Sequence, residues 1–388
     1  MIAISTKISV LLDGMVSEMP TSADIAVTSI TLDSRTVVEN GVFLSLSKDA
    51  EQHKDFLKQA LNNGAIAIVY DDGFSLSEQE KYLCKEHGAT LYAVENLAIQ
   101  AGEIAARFYG HPSENLTVLA ITGTNGKTSV SQFIAQAFES LAIPCGVIGT
   151  LGVGRVERME TTGMTTPDPV TLQSVLAEFK SQSINHVVLE ASSHALEQGR
   201  LNSVAIDVAV FTNLSRDHLD YHQTMQEYAA AKLRLFKFAS IKHAVVNLDD
   251  DFAQSIITAV NDSAVELLTY SSESVAEQKS ELLVQAVGIS TKPTGISFKL
   301  HSQYDEAEVS TSLLGHFNVA NLLATLQGLV ASGIEFETAL KAITHCHAVN
   351  GRMEVYGGDE QVQVVIDFAH TPDALIQAMT SLRAHLTD

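Results

Sequence analysis

The stretch "VLAITGTNGKTS", residues 118–129, predicts a buried strand that runs through a glycine-rich turn into a helix. In this context, backbone N–H groups of the turn and of the helix N-terminus face an anion, so the stretch predicts a phosphate-binding loop. The usual loop has a glycine five positions before its Gly-Lys pair. This chain has Ile121 there and an extra glycine at Gly123. The pattern indicates either a chance Gly-Lys-Thr or a phosphate loop from a particular subset of ATP-using enzymes.

Within this loop, Lys127 offers a mobile cation and Thr128 a hydroxyl that can bind Mg²⁺. An ordinary glycine-rich turn with a surface lysine is the alternative, which the strand before and the helix after disfavour. The residues that we expect to hold nucleotide phosphates are Gly123, Thr124, Asn125, Gly126, Lys127, Thr128 and Ser129.

The composition limits the classes of partner. A formal net charge of −22 argues against general binding to nucleic acid or to an anionic membrane, because both need a basic face. We find no leader-like segment and no apolar run near the roughly 18 residues of a membrane span, so we expect a cytoplasmic protein. Cys84, Cys145 and Cys346 fit no metal or disulfide spacing.

The order of strand-like and helix-like stretches predicts an α/β protein. Apolar strands alternate with helix-sized segments from Thr117 onward, which indicates a mostly parallel sheet covered on both faces. We therefore predict a small mixed N-terminal domain (1–97), a central P-loop domain with a mostly parallel sheet (98–348), and an incomplete C-terminal α/β domain (349–388). The strand-like stretches are 41–46, 64–70, 89–94, 117–122, 186–191, 207–214 and 243–248.

Polar residues follow the predicted strands at the sheet edge where ligands bind in such folds. Glu190 ends one strand, where it is either a Mg²⁺ ligand or a capping carboxylate. His218 follows another, in "FTNLSRDHLDYH" (211–222). Lys232 lies on a predicted helix, and taken alone it reads as a solvent-facing lysine. The Ser-His pair at 193–194 lacks a nucleophile elbow, so we reject a hydrolase triad.

Taken together, these stretches resemble the Mur ligases, in particular the MurE type, from about residue 25 onward. The loop with Ile121 and Gly123 is the form that this family uses. The stretches that carry the resemblance are "TLDSR" (31–35), "ITGTNGKTS" (121–129), "TTPDP" (165–169), "EASSHALEQGR" (190–200), "FTNLSRDHLDYH" (211–222), "YAAAKLRLF" (228–236), "GHFNVAN" (315–321), "GRME" (351–354) and "DFAHTPDAL" (367–375).

The resemblance implies an ATP-dependent amide ligase with a UDP-substrate domain, a central ATPase domain and a C-terminal amino-acid domain. ATP would phosphorylate the D-Glu carboxylate of UDP-MurNAc-L-Ala-D-Glu, and the amino group of meso-diaminopimelate or L-lysine would attack the acyl phosphate. The resemblance further implies Mg²⁺, and we expect a monomer. The C-terminal domain is cut off before the Asp-Asn-Pro-Arg motif that reads the amino acid in this family.

The resemblance also assigns roles to individual residues. It implies Lys127, Glu190, His218 and Lys232 as catalytic, with Thr128, Glu190, His218 and a carbamylated Lys232 at Mg²⁺. Asn321, Arg352 and Asp367 match positions for adenine, phosphate and ribose. Leu32 and Ser34 match uridine contacts. The positions that match the muramoyl-dipeptide site are Thr165, Thr166, Ser192, Gln198 and Arg200.

Three other interpretations stay open. A folylpolyglutamate-synthase-like ligase shares the central fold but gives "TLDSR" no role. A P-loop NTPase switch would place Asp-x-x-Gly after a strand, where this chain has "DHLD" (217–220). A non-catalytic protein that binds only the UDP-sugar would show no ATPase stimulation by an acceptor amino acid.

Overall fold

The structure, a computed structural model, describes residues 5–16, 24–47, 49–273, 283–357 and 362–386. Its contacts form two compact units. Unit 1 comprises residues 1–116, 167–183 and 195–204, and unit 2 comprises residues 117–166, 184–194 and 205–388.

The elements of the chain up to the phosphate loop are β1 (Thr6–Lys7), α1 (Ile8–Leu11), β2 (Ala26–Val27), β3 (Ser29–Thr31), β4 (Gly41–Ser45), α2 (Ala50–Asn62), β5 (Ala65–Asp71), α3 (Glu78–Glu86), β6 (Thr90–Val94), α4 (Leu97–Tyr109), a 3₁₀ turn (Pro112–Asn115) and β7 (Thr117–Thr122). The next elements are α5 (Lys127–Ser140), β8 (Cys145–Gly149), β9 (Gly152–Arg155), β10 (Arg158–Glu160), α6 (Pro169–Ser181), β11 (His186–Glu190), α7 (Ser193–Glu197), β12 (Val208–Phe211), α8 (Leu219–His222), α9 (Met225–Leu233), a 3₁₀ turn (Arg234–Lys237) and β13 (His243–Asn247).

The remaining elements are α10 (Ala253–Val260), β14 (Glu266–Ser271), β15 (Leu283–Lys292), β16 (Gly295–Ser302), β17 (Glu306–Thr311), α11 (Phe317–Ala331), α12 (Phe336–Ile343), β18 (Glu354–Tyr356), β19 (Val364–Ile366) and α13 (Pro372–His385). No helix in the described part of the chain is long and apolar enough to cross a membrane.

Unit 1 is built on a four-stranded parallel sheet in the order β3-β4-β5-β6. Every residue of its strand β4 is buried. Because alternate side chains point to opposite sides of a strand, both faces of β4 are covered. Phe43 packs with Leu57 of α2 and Cys84 of α3. Val42 belongs to the other cluster, with Ile104 of α4. The predicted strands at 41–46, 64–70 and 89–94 are thus confirmed as β4, β5 and β6.

Unit 2 contains an eleven-stranded sheet in the order β10-β9-β8-β11-β7-β12-β13-β14-β15-β16-β17. The seven strands from β8 to β15 in that order are parallel, and antiparallel strands extend both ends. The mostly parallel sheet predicted from the sequence is confirmed. Helices α5 and α11 pack together, and their apolar residues share one core with the sheet.

The residues after 349 join unit 2 through a small cluster of Leu314, Met353 and Ala378. They form the antiparallel pair β18-β19 and helix α13, which begins at Pro372 as the sequence predicts. The division into three functional domains stays a prediction, because the two units group contacts rather than functions.

Candidate functional site

The phosphate loop has the strand-turn-helix form that the sequence predicts. β7 ends at Thr122 and α5 begins at Lys127. Gly126 has a φ of 86°, and a Cβ there would lie 2.7 Å from Oδ1 of Asn321. At Gly123 a Cβ would lie 1.8 Å from Oγ1 of Thr212. Other parts of unit 2 therefore approach the loop so closely that both positions require glycine.

The end of β12 braces this loop. Thr212 Oγ1 donates to the carbonyl oxygen of Asn125 at 2.6 Å, and Asn213 Oδ1 accepts from the Asn125 N–H at 2.9 Å. On the other side, Thr124 Oγ1 hydrogen-bonds the hydroxyl of buried Tyr228 at 3.1 Å. Thr212 and Tyr228 were not predicted as site residues. Asn213 belongs to the 211–222 stretch, whose polar residues follow a predicted strand at the ligand-binding edge of the sheet.

Lys127 lies over its own loop. Its Nζ donates to the carbonyl oxygens of Gly123 (2.8 Å) and Thr124 (2.9 Å). The residue keeps some exposed surface, yet desolvation by the surrounding protein is the main cause that lowers its pKa. The negative charge of Glu190 opposes that shift. The arrangement places a cation at the mouth of the predicted anion site.

Glu190 is the buried centre of the site, with 1% of its surface exposed. Its Oε2 accepts from Thr128 Oγ1 at 3.1 Å and from Thr150 Oγ1 at 3.0 Å. Its Oε1 accepts from the Thr150 N–H at 2.9 Å. The structure therefore brings together Glu190 and Thr128, the two residues predicted to share a Mg²⁺ ion, and adds Thr150, which the sequence analysis did not select.

The threonines of the 165–169 stretch reach the same place. Thr166 Oγ1 donates to the Glu190 carbonyl oxygen at 2.6 Å and lies 3.1 Å from Ser192 Oγ. Thr165 Oγ1 lies 3.1 Å from Thr150 Oγ1. Three of the residues predicted to hold a substrate, Thr165, Thr166 and Ser192, thus gather around Glu190.

Lys232 is not the solvent-facing lysine that its helix position alone suggests, since only 1% of it is exposed. Its Nζ donates to the Gly123 carbonyl oxygen at 2.8 Å and lies 4.2 Å from the centre of the Tyr228 ring. Burial lowers the pKa of Lys232 well below its usual value, and the positive charge of Lys127 lowers it further. Both effects act in favour of the neutral form of the amine.

His218 immediately precedes α8, as its N-cap residue, in a left-handed conformation with a φ of 52°. Its Nε2 lies 3.5 Å from Asp217 Oδ2, and its ring lies 5.1 Å from that of His194. Burial lowers the pKa of His218, Asp217 opposes the shift, and Lys127 and Lys232 reinforce it. The two predicted metal ligands have different partners among the described residues: His218 lies against Asp217, and Glu190 accepts from Thr128 and Thr150.

Three predicted nucleotide contacts come from the C-terminal half of unit 2. Asn321 lies against Gly126, and its Nδ2 donates to Asn318 at 2.8 Å. Arg352 Nη2 lies 3.5 Å from Thr128 Oγ1. The Asp367 carboxylate accepts from two backbone N–H groups, at residues 353 and 369, and so shapes the turn that carries Arg352. Ser129 is buried on α5.

The remaining predicted residues belong to unit 1. Leu32 lines a cavity of about 350 Å³. Ser34 is buried and donates to Gln59 Oε1 at 2.7 Å. Gln198 Oε1 accepts from Arg200 Nε at 2.9 Å and from its Nη2 at 2.6 Å. The residues that line the cavity are Leu32, Phe43, Ser45, Leu46, Ser47, Gln52 and Phe56.

The donor set of unit 2 suits a hard cation. Mg²⁺ prefers oxygen ligands and usually takes only one or two carboxylates, keeping phosphate or water in its other positions. Thr128 and Glu190 offer adjacent oxygens, and His218 offers an imidazole nitrogen. Over the described residues, no cluster of three or more His, Cys, Asp or Glu side chains forms a metal site by itself. Any cation here would therefore complete its coordination with water or with oxygens from a ligand.

Comparison with known proteins agrees with this geometry. Residues 121–328 match the Mur ligase middle domain. The chain is 40% identical over 365 residues to the UDP-N-acetylmuramoyl-L-alanyl-D-glutamate--2,6-diaminopimelate ligase of Coxiella burnetii, which covers 94% of this chain and 73% of that protein. The ligase of the same name from Pseudomonas aeruginosa is 40% identical over 362 residues, with 93% and 72% covered.

A solved structure of a ligase of this name superposes with a TM-score of 0.83 at 33% identity. It covers 99% of this chain and 75% of the other. The family model spans more than half of the 388 residues, and the relatives are similar along nearly the whole chain. The chain belongs to the Mur ligase family.

Proposed function

We propose that this chain is the ATP-dependent ligase that joins meso-diaminopimelate to the D-Glu of UDP-MurNAc-L-Ala-D-Glu, a step of peptidoglycan precursor synthesis. The observation that carries the proposal is the convergence of Lys127, Thr128 and Thr166 around Glu190 at the ends of parallel strands. The names of the relatives at 40% identity support the choice of substrate and amino acid.

The reaction has two steps. The substrate carboxylate attacks the γ-phosphorus of ATP, which gives an acyl phosphate and ADP. The amino group then attacks the acyl carbon, an amide forms, phosphate leaves and the nitrogen loses a proton. In the first step a carboxylate must approach a triphosphate, so charge neutralisation and positioning are what the protein has to supply.

The residues of unit 2 match these needs. The loop N–H groups and Lys127 would hold the phosphates, and Arg352, next to Thr128, would neutralise further charge. Asn321 and Asp367 would serve the adenosine part. Thr128, Glu190 and His218 would hold Mg²⁺, whose positive charge, when bound, offsets the repulsion between the carboxylate and the phosphates.

We assign a carbamate to Lys232. A neutral amine reacts with CO₂ to give an N-carboxylate and a proton, which replaces a neutral amine beside Lys127 with an anion. The support is geometric: the Lys232 amine is buried, and it shares the Gly123 carbonyl oxygen with a second amine. The carbamate would stabilise the cations around it and add an oxygen ligand for Mg²⁺.

The proposal assigns the substrate parts to both units. Residues 1–97 would form the UDP-substrate domain, with the uridine in the cavity lined by Leu32 and Phe56. Its volume of about 350 Å³ is in the range of small-molecule sites. Thr165, Thr166, Ser192, Gln198 and Arg200 would hold the muramoyl dipeptide. Residues 98–348 would be the ATPase domain, and 349–388 would open the amino-acid domain. We further propose a cytoplasmic monomer.

The first test is calorimetric binding of UDP-MurNAc-L-Ala-D-Glu to the purified chain, with UDP-glucose as the control ligand. Saturable binding of the first and none of the second is the expected result. The second test mixes the protein with ATP, Mg²⁺, this substrate and either meso-diaminopimelate or L-lysine. ADP release and a product of the mass of the diaminopimelate adduct are expected.

A folded protein that binds ATP but not UDP-MurNAc-L-Ala-D-Glu would overturn the proposal. Product formed only with L-lysine would overturn the amino-acid assignment alone. The P-loop switch and folylpolyglutamate-synthase interpretations are not supported, since the similarity to the ligases extends over 94% of the chain.

A further inference from the structure

Thr150 contacts the catalytic carboxylate twice. It follows β8 directly, and both its N–H and its hydroxyl donate to Glu190, one to each carboxylate oxygen. The preceding residue makes room for this arrangement, since a Cβ at Gly149 would lie 2.3 Å from Glu190 Oε1. Gly149 and Thr150 together therefore fix the plane of the Glu190 carboxylate.

The proton count fixes the direction of the next hydrogen bond. A threonine hydroxyl has one proton, and Thr150 uses it on Glu190 Oε2, because a carboxylate oxygen only accepts. Thr150 Oγ1 also lies 3.1 Å from Thr165 Oγ1. In that contact Thr150 must accept, so Thr165 must donate its own proton.

We infer that Thr150 is a positioning residue that sets the hydrogen-bond direction of Thr165. Because Thr150 donates its proton to Glu190, Thr165 donates to Thr150 and meets the substrate as a hydrogen-bond acceptor. The inference rests on the proposed function and deepens it. With its proton committed to Thr150, Thr165 keeps only lone pairs for a ligand. Those lone pairs recognise an N–H donor, and the dipeptide substrate offers such donors in its amide groups.

The test measures binding of UDP-MurNAc-L-Ala-D-Glu and of ATP by calorimetry. Thr150→Val keeps the shape and the backbone N–H but removes the hydroxyl. We expect its affinity for the UDP substrate to fall about tenfold, since a charge-assisted chain of hydrogen bonds is broken, while ATP affinity measured without Mg²⁺ stays unchanged. Thr150→Ser keeps the hydroxyl and should bind the UDP substrate with nearly wild-type affinity. Thr258→Val is the matched control, because its exposed hydroxyl donates to a carbonyl within α10.

A double-mutant cycle separates transmission from local damage. If Thr150 acts through Thr165, then Thr165→Val added to Thr150→Val should cost less than Thr165→Val in the wild type. Two substrate analogues test the acceptor role, each with an ester oxygen in place of one amide N–H of the dipeptide. One of the two analogues should bind the wild type about tenfold more weakly than the parent substrate does. The Thr165→Val variant should bind that analogue and the parent substrate equally well.

The outcomes are separable. If Thr150→Val binds the UDP substrate with wild-type affinity, or if the losses in the cycle are additive, the inference is overturned and the proposed function still stands. Equal affinity of the wild type for both ester analogues and the parent would overturn the acceptor role. A wild-type chain that does not bind the UDP substrate would overturn the proposed function and the inference with it.

Discussion

The amino nitrogens of Lys127 and Lys232 donate to the same carbonyl oxygen, that of Gly123, each at 2.8 Å. The two nitrogens therefore lie no farther apart than twice that distance. Two ammonium charges this close repel each other, and the repulsion grows where the protein excludes water. Lys232, with 1% exposure, is the more buried of the two and takes the larger decrease in pKa.

Lys232→Ala should abolish ligation, because the proposed carbamate is lost. Short carboxylic acids such as acetate should restore part of the turnover by occupying the space of the carboxylate. The measurement is ADP release at saturating substrates with and without acetate. Lys237→Ala, a few residues away and exposed, is the matched control and should stay active. Full activity of Lys232→Ala without acetate would rule out the carbamate.

Lys127→Ala should reduce turnover by about a hundredfold or more, because one preorganised cation at the transferring phosphate is lost. The fold should survive, as the hydrogen bonds of Lys127 to the described residues go to carbonyls of its own loop. Turnover and circular dichroism are compared with those of Lys341→Ala, an exposed lysine on α12. Normal turnover of Lys127→Ala would contradict the proposal that this loop binds the phosphates of ATP.

Gly126→Ala should weaken ATP binding at least tenfold, because the new methyl group would meet Asn321 in a backbone conformation of φ 86° that side chains disfavour. Gly333→Ala is the matched control: its φ is 89°, with open space around the added Cβ. Both variants carry the same backbone strain, and only the first meets Asn321. Equal ATP affinities in calorimetry would show that Asn321 does not constrain the loop.

The buried His53–Glu80 pair predicts an acid-sensitive contribution to stability in unit 1. Burial acts to raise the pKa of Glu80, but hydrogen bonds from Ser77 and His53 outweigh it and lower the pKa below 4.5. A carboxylate with a lowered pKa stabilises the fold at neutral pH, and this stabilisation is lost as the pH falls below 4.5 through the lowered value.

Glu80→Gln should therefore reduce the free energy of unfolding at pH 7 by about 1–3 kcal/mol. The difference from the wild type should shrink as the pH falls below 4.5. Denaturant unfolding at several pH values measures both. Glu78→Gln, exposed on the same helix, is the control and should change little at any pH. A difference for Glu80→Gln that is constant with pH would contradict the assignment.

Ser34→Ala should lower the affinity for the UDP substrate several-fold and leave the affinity for ATP unchanged. The Ser34 hydroxyl is buried and donates to Gln59, so its loss removes a hydrogen bond that holds the segment carrying Leu32. Calorimetry with each ligand is the measurement. An equal loss of both affinities would mean that the two substrates are not divided between residues 1–97 and 98–348 as proposed.

The sequence by itself determined the parallel strands and the helix after the loop, because buried apolar runs and helical spacing are local patterns. It also placed Glu190 among the site residues, since side chains after parallel strands share one sheet edge. The resemblance to the Mur ligases added Thr165 and Thr166. The antiparallel strands β9, β10, β16 and β17 were not predicted. Their pairing depends on partners elsewhere in the sheet, which a local pattern does not specify.

Only the tertiary structure decided where the side chains of Lys232 and Thr150 lie. The helix pattern around Lys232 reads as solvent-facing, and its burial against Gly123 depends on a contact 109 residues away. Thr150 looks like an ordinary turn residue until the fold brings it to Glu190, 40 residues later in the chain. The sequence names groups able to do chemistry, but proximity fixes their charge and the direction of their hydrogen bonds. Proximity is a property of the packed chain.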